Sequence, residues 1–195
     1  MKAFDKENNV WSRFSEKERV KMEEYCKNYR FFLDTARTER LAVKEILSQA
    51  ESAGFRSIDS YTKLAAGDKV YWNQKNKAVV LAVIGKEPLE AGAKIVGSHI
   101  DCPRLDLKAA PVFEKDKLVY FKTHYYGGIL KYQWVCQPLS LIGVVCMSNG
   151  RKVDVSIGDG PDDPVFYIND LLPHLGKDQA AKKLNDAIEG EMLMP

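Results

Sequence analysis

Only three histidines, His99, His124 and His174, occur in 195 residues, beside four cysteines, Cys26, Cys102, Cys136 and Cys146. No two cysteines form a CxxC pair, which removes a zinc ribbon or a redox dithiol. Four thiols in a chain of this length do not make a disulfide framework, and a reducing cytoplasm is the simplest setting. Long apolar runs are missing too. The longest, residues 78–84 and 139–147, fall far short of the ~18–20 residues that span a membrane. Charge of one sign is not in excess: 29 Lys and Arg stand against 27 Asp and Glu, a net charge of +2. That balance excludes nucleic acid and anionic membrane as the main partner. The N-terminal stretch MKAFDKENNVWSRF carries both signs and no apolar core, so no secretory signal is expected. There is no GxGxxG, P-loop or Gly-x-Ser-x-Gly elbow, which leaves dinucleotide, nucleotide and serine-hydrolase readings without local support. The Asp-rich loop at 158–163 lacks the ligand spacing of an EF-hand.

What remains is ordinary globular composition, 45% hydrophobic and 29% charged, in a chain long enough to bury a core without staples. Ser15 followed by Glu18 reads as a capping box for a helix over 16–28. Phe32, Ala36, Val43, Ile46, Leu47 and Ala50 predict one face of a second helix, stopped by Gly54 in a left-handed cap. The period then changes. A short strand at 69–72 and a polar turn at 73–76 precede two apolar stretches, 78–84 and 93–99, which read as strands buried on both faces. Beyond Pro111 the texture becomes β-rich. A hairpin is expected around Lys115-Asp116-Lys117, and a second around Asn149-Gly150. Helices are expected at 170–175 and 177–189. The change of texture places a boundary near Ala109, separating an α/β first part, 1–108, from a β-rich second part, 109–195.

His99 ends the second apolar stretch, where functional groups of α/β sheets collect. In extended backbone His99 and Asp101 share a face, with Ile100 and Cys102 opposite. A metal-bound imidazole commonly gives its other N–H to a carboxylate, and His-x-Asp can supply that pair. The same geometry counts against Cys102 as a nucleophile working with His99. The aromatic stretch 123–134 could stack bases; with balanced charge it reads as packing or subunit contact.

Taken together, the motifs become specific. VGSHIDCPRLDLK (96–108), KTHYYGGILKYQW (122–134), DPVFYINDLLPHL (163–175) and the upstream FLDTARTERLAVKEI (32–46) occur in order. The chain resembles the N-terminal part of the aspartyl aminopeptidase and aminopeptidase I family, metallopeptidase family eighteen, over about 29–175. The resemblance implies an exopeptidase that removes N-terminal amino acids from peptides with two metal ions, usually zinc. It implies an α/β catalytic domain interrupted by a β-rich dimerisation domain, hence a homo-oligomer. It implies His99 as the first metal ligand, Asp101 as the carboxylate behind it, and His174 as a histidine reaching the neighbouring subunit's active site. His124 receives no role. The other metal ligands of the family are expected beyond residue 195, so this chain is expected to be an inactive fragment by itself. The alternative is a non-catalytic dimerisation or interaction module.

Overall fold

In the computed structural model, which describes residues 9–195, the chain divides into two units, one ending at Asp101 and the other Cys102–Pro195. Residues 1–8, on which the expectation of no secretory signal largely rests, lie outside the described residues. No helix among the described residues is long and apolar enough to cross a membrane.

The first unit begins with α1 (Val10–Arg13) and α2 (Glu16–Thr35). Ser15 and Glu18 form the expected capping box, each side chain bonded to the other's backbone N–H. The helix then runs past residue 28 to Thr35. Ala36 leaves helical geometry, and Thr38 restarts it as the extended N-cap of α3 (Glu39–Ser52), its hydroxyl accepting from the Leu41 N–H at 3.2 Å. The stripe expected on one helix is therefore split, with Phe32 on α2 and Val43 to Ala50 on α3. Threonine as an N-cap outweighed apolar periodicity here. Gly54, at φ +88°, closes α3 as expected. Its N–H donates to Glu51 O at 3.0 Å and that of Phe55 to Ala50 O at 2.9 Å, the paired bonds of a Schellman cap.

β1 (Arg56–Ser57), β2 (Lys69–Gln74) and β3 (Ala78–Val83) form a sheet in the order β1-β2-β3, parallel then antiparallel. The turn between β2 and β3 holds Lys75 and Asn76 at φ 55° and 57°. Asn73 braces it by accepting the Asn76 N–H at 2.9 Å. α3 packs on β2 and β3, burying Ala42, Val43, Ala50 and Val70. Lys69 Nζ donates to Ala53 O at 2.9 Å, and the Tyr71 hydroxyl to the Glu51 carboxylate at 2.8 Å. That bond to an anion pushes the Tyr71 pKa above its ordinary value.

Two expectations fail in this unit. β3 is not a strand buried on both faces: it pairs only with β2, and Val80, Leu81 and Val83 are exposed. Residues 93–99 form no strand, and Ile95 and Val96 are 88% and 99% exposed. A strand exists only as part of a ladder, and no strand among the described residues pairs with 93–99. The apolar pattern reports what those residues would tolerate, not a partner that is present.

In the second unit β4 (Arg104–Lys115) and β5 (Leu118–Tyr126) make a long hairpin, turning at Asp116 and Lys117 with φ 54° and 63°. Positive φ at both central residues gives the twist that hairpins favour. The register slips between Leu107 and Val112, where Pro111 has no N–H for the ladder. The texture change near Ala109 thus lies within β4, and the compact units divide instead after Asp101. β7 (Leu141–Cys146) and β8 (Lys152–Ile157) form the second expected hairpin, with Gly150 at φ +82° in its turn. β6 (Pro138–Leu139) pairs with β9 (Phe166–Tyr167). The helix expected at 170–175 is a turn, in which the Leu175 and Gly176 N–H groups both donate to Leu172 O; Pro173 interrupts it. The helix expected at 177–189 breaks into α4 (Lys177–Ala180) and α5 (Leu184–Ala187), followed by a 3-10 turn, Gly190–Met192.

The core of this unit is Ile168, Ile188 and Leu193, packed by Leu105, Ile129, Trp134, Val135 and Leu139. Its last residues run along β5: the Phe121 N–H donates to Pro195 O at 2.8 Å, and the buried Thr123 hydroxyl donates to Leu193 O. Much of the aromatic stretch is accounted for here. Thr123, Ile129 and Trp134 serve the core, while Tyr125 and Tyr126 remain exposed.

Candidate functional site

His99 and Asp101 lie on a segment without regular structure, yet they meet as their spacing predicts. His99 Nδ1 is 3.1 Å from Asp101 Oδ1 and 3.1 Å from the Asp101 carbonyl oxygen. A carboxylate and a carbonyl can only accept, so Nδ1 carries the proton and donates. In the neutral ring of that tautomer, Nε2 keeps its lone pair. The His99 side chain is 85% exposed, so that lone pair is open to a cation from solution. Such a nitrogen could take one coordination position on a metal. The donor chemistry fits zinc, which takes neutral imidazole whose far N–H is held by an acceptor.

A complete metal site is not assembled. Among the described residues no group of three or more His, Cys, Asp or Glu could hold a metal ion. His174 belongs to the second unit, exposed on the turn that follows β9. His124 sits on β5 with its ring stacked on Tyr125, at 5.5 Å between centroids. Cys102 is half-buried, and the four cysteines carry no disulfide.

One cluster next to the motif was not anticipated. Arg104 begins β4 with its Nε 2.7 Å from Asp106 Oδ1 and its guanidinium carbon 4.0 Å from the Tyr126 ring centroid. The signal was available, since residues at i and i+2 of a strand share a face. What sequence could not supply was the register that sets Arg104 opposite Tyr126.

The loop after β8 is ordered by its own carboxylate. Asp163 Oδ2 accepts from the Gly158, Asp159 and Gly160 N–H groups at 3.1, 3.1 and 3.0 Å. Those donors, Gly160 foremost, hold the Asp163 pKa below its ordinary value of 3.8. A carboxylate with a depressed folded-state pKa contributes stability above the unfolded value, and loses it as pH falls through the folded one. Acidification below pH 3.8 is therefore expected to lower the thermal midpoint of the native protein more steeply than that of Asp163→Asn. Parallel slopes in calorimetry would remove the loop's carboxylate as the cause.

Comparison with known proteins gives a consistent result. The family model described as "Aminopeptidase I zinc metalloprotease (M18)" matches residues 32–194. The chain is 44% identical over 189 residues to a probable M18 family aminopeptidase 1 of Borreliella afzelii (strain PKo), covering 96% of this chain and 41% of that one. A crystal structure of an M18 aminopeptidase from Thermotoga maritima superposes with a TM-score of 0.86 at 39% identity, over 95% of this chain and 40% of that one. Aminopeptidase I of Clostridium acetobutylicum superposes with a TM-score of 0.83 at 37% identity, over 97% and 42%. The chain thus spans about 41% of the length of the curated relative.

Proposed function

The chain belongs to the aminopeptidase I zinc metalloprotease (M18) family, and from that premise we propose that it carries one corner of a two-zinc aminopeptidase site. The observation that supports this most directly is the His99–Asp101 pair. His99 would hold zinc through Nε2, and Asp101 would fix the ring's tautomer and raise its basicity. Bound zinc supplies Lewis acidity and a water of lowered pKa for peptide hydrolysis. The residues of this chain bind and orient; the substrate is the N-terminal end of a peptide. His174, from the second unit, would contact substrate in the site of a neighbouring subunit. Residues 109–195 would serve dimerisation, and the protein would act in the cytoplasm as a homo-oligomer.

These 195 residues are proposed to be inactive by themselves. A catalytic zinc site takes at least three protein ligands, and the described residues bring no such group together. The purified chain is therefore expected to retain no stoichiometric zinc and to release no amino acids from short peptides. The same chain joined to the remaining length of the Thermotoga maritima relative is expected to do both. Metal-dependent release by the 195 residues alone would refute the inactivity. A zinc-free, inactive but folded chimera would count against the peptidase reading itself.

A further inference from the structure

Helix α2 carries an apolar stripe that its own unit leaves largely open. None of its 20 residues is buried. Met22, Cys26, Tyr29, Leu33 and the capping Ala36 recur at steps of four and three, the spacing of a coiled-coil seam. Tyr25, Tyr29 and Leu33 are 70%, 51% and 50% exposed, and Met22, Cys26 and Phe32 are half-buried. Tyr25 and Phe32 flank one side of the seam. Glu23 and Arg30 flank the other.

We propose that this face pairs with α2 of a second copy of the chain, antiparallel. The charges select the occupant. With Met22 layered on Leu33 of the second copy, and Cys26 on its Tyr29, Glu23 falls opposite the second copy's Arg30. The two-fold repeats that pair, so a single register satisfies both acids and both bases. The same register sets Tyr25 against Phe32 twice. A parallel pair would instead bring Glu18 against Glu23 of the second copy, a like-charge contact. A membrane is a poor occupant, because α2 has five basic and five acidic side chains and no net charge. This contact lies in the first unit and stands apart from the association proposed for the second.

The test is a charge-reversal cycle on the 195-residue protein, read by sedimentation equilibrium, with far-UV circular dichroism confirming folding. Glu23→Arg alone and Arg30→Glu alone are each expected to weaken self-association about tenfold, because each variant creates two like-charge contacts in the dimer. The double variant, with both signs exchanged, is expected to return to within about twofold of the native affinity. In a second measurement, Tyr29→Cys is expected to give a covalent dimer under mild oxidation, through Cys26 of the other copy. A monomeric native protein, single variants that associate normally, a double variant no better than the singles, or a missing cross-link would each overturn the proposal.

Discussion

Alanine in place of Asp101 is expected to weaken zinc binding at His99 about tenfold. Partners that hold a ligand imidazole commonly contribute about 10- to 100-fold to metal affinity. The lower end applies here for a geometric reason. Nδ1 also lies 3.1 Å from the Asp101 carbonyl oxygen, which alanine retains. The tautomer keeps one acceptor and loses the anionic one. Asp101→Asn should fall between the two, since it keeps an acceptor at the same place without the charge. Zinc titration of ¹⁵N-labelled imidazole resolves these cases, because the Nε2 resonance reports the metal and Nδ1 reports the proton. His99→Ala should abolish the response. Equal affinity in the native and Asp101→Ala proteins would leave the carboxylate without a supporting role.

Leu193→Ala is expected to cost the second unit about 2–5 kcal/mol, the range for truncating a fully buried leucine. Leu193 has no exposed surface and lies in one cluster with Ile168 and Ile188. Its carbonyl accepts the Thr123 hydroxyl, so core and backbone are fixed together. The neighbouring Met192 is an internal control: it is 61% exposed, and Met192→Ala should cost less than about 0.5 kcal/mol. Urea unfolding followed through Trp134, which packs on this cluster, distinguishes them in a background where Trp11 and Trp72 are phenylalanine. Similar midpoints for the two variants would mean that the segment beyond Glu189 does not stabilise the unit.

Where sequence and structure agree, the signals are local. The Ser15–Glu18 box, the Gly54 cap and the hairpins at Asp116-Lys117 and Gly150 each depend on a few neighbouring dihedrals and donors. The His99–Asp101 contact belongs with them, because i and i+2 spacing brings the groups together even on irregular backbone. Where the reading failed, the missing quantity was non-local. Residues 93–99 have the composition of a buried strand and no neighbour to pair with. β3 has the composition of a central strand and the position of an edge. The helix expected at 177–189 lost to turns around Ile188 and Leu193, residues drawn into the core beside Ile168. Motif order identified the family, and the other coordinating groups cannot be read from residues that this chain does not bring together.

The strap over β5 also matters while the protein is being made. Thr123 waits 70 positions for the carbonyl that satisfies it, and the cluster around Ile168 stays open until position 193 has left the ribosome. Through that interval the β4–β5 hairpin presents unsatisfied edge groups and bare aliphatic surface, the features that chaperones recognise and that drive nascent chains to coalesce. Completion of the second unit therefore waits for the segment around Leu193 to emerge, and slow synthesis of that segment would prolong the hazard.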